Sequence, residues 1–390
     1  MRTVLQCVAV ACAFLSASAD EPVRLWTGGT YPARAQLARA AGVRYSTIKA
    51  HEPEKDGFEW LHGVGLGWHG NRLYATYGTN PGRENTAGEC CMCRYSEDDG
   101  RTWSAPQVVD AGEPAARLAV SHGVLLSKAG RLLSFMGAFT NDMRAVHTRL
   151  SVLDPDATSW RHVGVVVGDG FWPMQPPERM SDGNWIMGGL RCSKGLKDAK
   201  GGNRPAVAIS AGDDLTKWRL VVVEEGAVEN CWGEATVDVH GPFATLVSRP
   251  GWKNDPAVAL VATSADFGCT WTALRPSNLP MTTAKPYTGW LSDGRRYALN
   301  SMTADGRWNR DSIVLALSRP GEWAYSQALL VRSSDDFAPD ARGRRTRMCY
   351  PAAVEKDGRL YVGYSISRLG GNRNDAELAV VPLPNGPKSE

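Results

Sequence analysis

The chain has 390 residues and a formal net charge of +3, from 44 Lys and Arg set against 41 Asp and Glu. So even a balance, with no basic block and no basic amphipathic helix, argues against a nucleic-acid or membrane-surface partner. The length fits two average domains or one large all-β domain.

The chain begins "MRTVLQCVAVACAFLSASADEP". Arg2 gives a short positive region, an apolar run extends to Leu15, and Ala17-Ser18-Ala19 suits a signal peptidase. Residues 1–19 are therefore expected to be a cleaved signal peptide, and 20–390 a single secreted domain, extracellular or periplasmic. No later apolar run has the length needed to span a bilayer. "PARAQLARAAG" at 32–42 reads as a short helix stopped by Gly42. Of nine cysteines, Cys7 and Cys12 fall in the leader. The cluster Cys90, Cys91, Cys93 and the scattered Cys192, Cys231, Cys269 and Cys349 remain. Their spacing lacks the paired pattern of a zinc site. Scattered buried thiols are expected, with room for one disulfide. No metal and no cofactor is implied.

A Gly turn followed by an aliphatic or aromatic run occurs six times, in "HGNRLYATYG", "AGRLLSFMGA", "DGNWIMGGL", "HGPFATLVSR", "DGRRYALNSM" and "DGRLYVGYS". The glycines are Gly70, Gly130, Gly183, Gly241, Gly294 and Gly358, spaced by 60, 53, 58, 53 and 64 residues. Gly supplies the positive φ of a tight hairpin. A second series runs in phase: Trp103, Trp160, Trp218, Trp271 and Trp323, each after a polar turn. Strand, hairpin, strand, loop, strand, polar turn, strand, repeated six times, describes a six-bladed β-propeller of four-stranded antiparallel blades. The sixth unit ends without its Trp, so an N-terminal segment around Val43–Ile48 is expected to supply the missing outer strand and close the ring.

Two polar turns share one pattern: Ser96, Asp98, Gly100, Thr102, Trp103 and Ser264, Asp266, Gly268, Thr270, Trp271. Ser and Asp there accept hydrogen bonds from nearby N–H groups and fix the hairpin, which leaves the Trp to pack between sheets. The copies "LDPDATSW", "GDDLTKW" and "SRPGEW" keep the Trp and lose parts of the polar pattern, so Asp98 and Asp266 are expected to be braces. These turns resemble the Asp-box (BNR repeat) of the sialidase superfamily, and with six in-phase units the resemblance covers nearly the whole mature chain.

Counting back eight residues from each hairpin glycine reaches the start of each first strand: His62, His122, Gln175, Gly233 beside Glu234, Pro286 beside Lys285, and Tyr350. Polar groups from several blades meeting at one mouth describe a polar substrate pocket. The sialidase resemblance assigns some roles. "WGEATVDVHGPFATLVSR" is similar to the segment carrying a Glu and an Arg, matching Glu234 and Arg249. "NRDSIVLALS" is similar to that carrying a further Arg, here Arg310. "CYPAAVEKDGRLYVGYS" is similar to that carrying a nucleophilic Tyr, here Tyr350. The resemblance thus implies an exo-glycosidase in which Glu234 takes the proton of Tyr350 and two arginines grip a carboxylate. The partner it implies is a glycan ending in an acidic sugar. It departs at "WLHGVGL", where His62 stands and the family's first Arg does not. The family's catalytic Asp is also absent, and "GTNPGRENTAGEC" offers Glu84 and Glu89 as general acids instead. His62, His122, Gln175, Lys285 and Arg191 complete the expected substrate-binding set. Arg191 opens "RCSKGLKDAKGGNR", a basic loop near the mouth. Two other readings stay open: a propeller polysaccharide lyase using His122 or Tyr350 on a uronate glycan, and a non-catalytic glycan-binding propeller.

Overall fold

The computed structural model describes residues 21–140, 143–193, 202–226, 228, 231–305, 309–368 and 373–383. The expected signal peptide and the middle of the basic loop lie outside them. Six antiparallel sheets follow one another around a central axis. Blade 1 comprises Trp60–His69, Arg72–Asn80, Cys90–Ser96 and Gln107–Asp110. Blade 2 comprises Leu118–Lys128, Arg131–Thr140, Arg144–Leu153 and Arg161–Val167. In blade 3 the inner position is shared by Phe171–Pro173 and Glu178–Arg179, ahead of Trp185–Arg191, Arg204–Ala211 and Asp214–Val222. Pro173, Pro176 and Pro177 cannot donate to a ladder, which accounts for that break. Blades 4 and 5 begin at Ala235–His240 and Tyr287–Trp290. Blade 6 comprises Arg347–Lys356, Arg359–Ser367 and Asn374–Pro382.

The outer strand of blade 6 is Arg44–Lys49, antiparallel to Asn374–Pro382, within a residue of the expected closure. It pairs the otherwise open edge, so the first and last parts of the chain lock each other. All six hairpin glycines have positive φ, from +56° at Gly70 to +95° at Gly183. The expected helix at 32–42 is corrected: only Arg34–Gln36 forms a 3-10 turn, and Ala38–Arg39 then pairs parallel to Tyr325–Ser333 of blade 5. Leu37 is the one buried side chain in that stretch, too little for a helical apolar stripe. The unpaired edge of blade 5 takes the segment instead, with Ala40 N–H donating to the Leu330 carbonyl.

Apolar side chains pack between neighbouring blades. Trp103 joins a cluster of Leu66 and Leu73 from blade 1 with Tyr361 and Leu378 from blade 6, and Trp271 joins one built from blades 3 and 4. The turn before each Trp is braced as expected. Asp98 accepts from the Thr102 N–H at 2.9 Å and the Thr102 hydroxyl at 2.7 Å, while the Ser96 hydroxyl donates to Asp98 at 2.7 Å. Asp266 repeats this with Thr270 and Ser264. All seven cysteines from Cys90 onward are free thiols, so the described residues contain no disulfide. Cys90 and Cys91 are strand neighbours and face opposite sides of the sheet.

Candidate active site

Three of the six inner strands are bulged near the mouth: between His62 and Val64, between Val120 and Gly123, and between Cys349 and Ala352. A bulge re-aims the side chains it contains. Here those are His62, Ser121 with His122, and Tyr350. Tyr350 takes a φ of +58°, a region an aromatic residue rarely enters. Gly63 serves the same region by having no Cβ: one there would lie 2.2 Å from Nδ1 of His122.

The bulges bring Tyr350 of blade 6 to Glu234, the residue before the inner strand of blade 4. The Tyr350 hydroxyl donates to Glu234 Oε1 at 2.5 Å. Arg249, at the end of the next strand, donates from Nη1 to Glu234 Oε2 at 2.6 Å and to the Tyr350 oxygen at 3.2 Å. Burial first, and the Glu234 charge second, hold the phenol pKa well above its usual value. Arg310 lies 5.7 Å from the Tyr350 ring and is anchored on the Thr283 carbonyl at 2.7 Å. His62 packs its ring 4.2 Å from that of Tyr350. Asn374 Nδ2 donates to the Leu61 carbonyl and also faces His62 Nδ1 at 3.2 Å, so Nδ1 accepts and the ring carries its proton on Nε2. Burial, then Arg310 and the other nearby cations, keep His62 neutral.

Tyr350, Glu234 and His62 line a small hollow together with Trp60, Trp172 and Trp232. Its opposite wall carries Glu84, Glu89 and His122. Glu89 is buried at the start of the third strand of blade 1, bonded by the Asn85 N–H at 3.2 Å and the Ser121 side chain. Burial pushes its pKa up to about 8, so it holds a proton at neutral pH. Glu84 is half-buried beside it. His122 Nε2 is buried with no hydrogen-bond partner, and burial with the Lys285 charge lowers that ring's pKa to about 3. Lys285 is fully buried, with the Met174 carbonyl at 3.4 Å from its Nζ, and burial lowers its pKa to about 8. Arg249, Arg310 and Lys285 thus gather around Tyr350 and Glu234, an excess of positive charge that favours an anionic ligand.

Of the expected binding residues, His62 and His122 line the hollow, Arg249 and Arg310 reach it through their contacts with Tyr350, and Lys285, Gln175 and Arg191 are outside its lining. Gln175 is buried and spends its amide on the Val237 peptide of blade 4, donating to its carbonyl and accepting from its N–H at 2.5 Å each. Arg191 ends a strand of blade 3 and does not line the hollow. Trp232, which does, and Trp252 were not read from the sequence, because neither falls in the blade period. Among the described residues no group of three or more His, Cys, Asp or Glu is arranged to hold a metal ion, and no helix is long and apolar enough to cross a membrane.

No family model matches the chain, and no curated protein matches it in sequence. Solved structures do match. Trypanosoma rangeli sialidase, captured with 2,3-difluorosialic acid as a covalent intermediate, superposes with a TM-score of 0.65 at 14% identity, over 89% of this chain and 59% of that one. The Hadza microbial sialidase Hz136 gives 0.65 at 15% identity, over 87% and 68%. The phage phi92 endosialidase gives 0.62 at 10%, over 89% and 70%. The chain spans about three fifths of the length of the trypanosomal enzyme. What it shares with these proteins is their fold, the six-bladed propeller of the sialidases.

Proposed function

We propose that the chain is a secreted exo-glycosidase that hydrolyses a terminal acidic sugar through a covalent intermediate on Tyr350. The observation that carries this reading is the Tyr350–Glu234–Arg249 hydrogen-bonded set at the mouth. As the phenolic oxygen bonds to the anomeric carbon, its proton passes to Glu234 and the leaving oxygen takes a proton from Glu89. Water then attacks the same carbon, gives its proton to the Glu89 carboxylate, and the phenol recovers its own from Glu234. Two displacements retain the anomeric configuration. A neutral nucleophile suits a substrate that carries its own carboxylate, and Arg249, Arg310 and Lys285 supply the complementary charge. Glu89 fits the acid better than Glu84, because a general acid must hold its proton at working pH.

Sialidase structures bound to sialic acid and its analogues support an acidic nine-carbon sugar as the first to test. The deciding experiment follows the products from sialosides and from uronate polymers by NMR. A released sugar of retained configuration upholds the reading; an unsaturated product overturns it. The unpartnered Nε2 of His122 favours one second reading, a lyase in which that neutral ring removes the proton beside a uronate carboxylate.

A further inference from the structure

Arg310 stands just ahead of the third strand of blade 5, Ser312–Ser318, so its main chain is held by individual contacts rather than by a ladder. The Met348 N–H donates to the Arg310 carbonyl at 2.7 Å, and the Ser334 N–H to the Asp311 carbonyl at 2.7 Å. The Asp311 carboxylate is taken by Arg34, 277 residues earlier in the chain. Arg34 Nη1 donates to Asp311 Oδ2 at 2.6 Å and to the Ser334 hydroxyl at 2.8 Å, and Nη2 lies 3.3 Å from Asp335 Oδ2. The same residue meets the other flank of the mouth loop that leads to Arg310. Its N–H donates to Asp305 Oδ2 at 2.9 Å, and next to it the Ala304 N–H donates to the Pro32 carbonyl at 3.3 Å. Asn309 Nδ2 closes the neck between the flanks on the Asp305 carbonyl at 3.2 Å. Tyr31 and Leu37, on either side of Arg34, are buried in one cluster with Met302.

Arg34 therefore touches both flanks of the loop, one through its backbone and one through its guanidinium. The neighbouring strap pair, Arg39 with Asp336 at 2.8 Å, has an arginine 54% exposed, and such a pair contributes little. The Arg34 and Asp311 side chains are only 14% and 18% exposed, and a shielded, charge-assisted pair with a second acceptor fixes position as well as charge. Without Arg34 the loop loses its hold, and an uncompensated carboxylate stands one residue from Arg310. Both effects weaken a site that receives an anion. Neither touches the proton transfer between Tyr350 and Glu234.

We infer that Arg34 is a positioning residue for the substrate carboxylate: it holds the loop that carries Arg310 and cancels the Asp311 charge beside it. This rests on the exo-glycosidase reading. It gives the segment ahead of the closing strand a part in substrate binding as well as in the fold.

The test measures kcat and KM on a nitrophenyl glycoside of N-acetylneuraminic acid for wild type, Arg34→Ala, Arg34→Lys and Arg39→Ala. Arg34→Ala should raise KM about tenfold or more, the scale of one charge-assisted hydrogen bond, with kcat near wild type. Arg34→Lys keeps the charge and should recover most of the loss. Arg39→Ala cuts the exposed strap contact and should change neither constant. A rise in KM shared by Arg34→Ala and Arg39→Ala would mean that the strap serves the fold alone. A fall in kcat at unchanged KM, or no change in either, would mean that Arg310 stands without Arg34. Each of these overturns the inference. Arg34→Gln keeps the stem without the charge and replaces Arg34→Ala if that variant does not fold, with the same expectation. If wild type leaves the glycoside uncut, the exo-glycosidase reading fails separately. Positioning is then read by calorimetry with N-acetylneuraminic acid and with glucuronic acid. Affinity about tenfold weaker in Arg34→Ala upholds it; no binding to wild type, or equal affinity in both proteins, overturns it.

Discussion

The Tyr350 hydroxyl and the Glu234 carboxylate, 116 residues apart in sequence, share a 2.5 Å hydrogen bond across the mouth of the propeller. With its pKa held well above the ordinary value by burial and by Glu234, the phenol is no nucleophile until that carboxylate takes its proton. Tyr350→Phe keeps the ring against His62 and removes only the oxygen. It should lower kcat by about 10³-fold or more while substrate affinity, measured by calorimetry, changes little. Undiminished turnover would remove Tyr350 from the chemistry.

Glu89 should set the basic limb of the pH–rate profile. Its carboxyl, facing Ser121, Asn85 and Glu84, titrates at about 8, so the protonated acid is lost as pH rises through that value. Lys285, also brought to about 8 by burial, loses charge in the same range. The two separate by leaving group. Glu89→Gln should cost about 10²–10⁴-fold in kcat on an alkyl glycoside and far less on a nitrophenyl glycoside, whose oxygen leaves without a proton. Glu84→Gln should cost little on either. The reverse ranking would return the role to Glu84.

The repeat, the hairpin glycines and the closing strand were all legible in the sequence, because each is enforced locally: a positive φ needs Gly, and an open edge needs a partner. The convergence of His62, His122 and Tyr350 was legible for the same reason, since the blade period fixes where each inner strand begins. The burial of Glu89 was not, because it depends on Ser121 of the next blade closing over it. Nor was the fate of Gln175, which sits at the right period but faces the neighbouring sheet. The segment 32–42 misled because its alanines suit a helix in isolation, while the free edge of blade 5 offered backbone partners that propensity does not register.

Gln175 should matter to stability rather than binding. Its amide satisfies both the N–H and the carbonyl of Val237, buried between blades 3 and 4. Gln175→Ala leaves two buried backbone groups unpaired and should cost about 1–3 kcal/mol in denaturant unfolding. KM should stay near the wild-type value at temperatures where the variant is folded. A raised KM with unchanged stability would restore it to the substrate-binding set.

Asp98 gives a parallel case at the far end of the blade. Seven residues of strand, Cys90–Ser96, separate it from the hollow, about 20 Å at the usual rise. Asp98→Ala removes the acceptor for Thr102 and should lower the thermal midpoint by a few degrees. The kcat/KM should not change, and a loss of activity in a fully folded variant would contradict the bracing role.

Stability itself should fall on both sides of a mildly acidic optimum. His62 and His122 are buried neutral, His122 at about 3 against an ordinary 6.5, so the unfolded chain binds protons that the native one refuses. Their contribution is complete above about 6.5 and is lost progressively as pH falls toward 3. Glu89 and Glu178 act in the opposite sense. Burial lifts both to about 8 from 4.5, with the Asp238 charge adding to the lift at Glu178. The native chain then holds protons that the unfolded one releases, and stability drains as pH rises from 4.5 through 8. Unfolding midpoints in urea across this range should show the dome. Glu178→Gln should flatten its basic side without altering the pH–rate profile, because that carboxyl accepts the Val239 N–H between blades. Glu89→Gln should change both. If neither variant flattens the basic side, these carboxyls are ionised in the native chain, and Glu89 cannot serve as the acid.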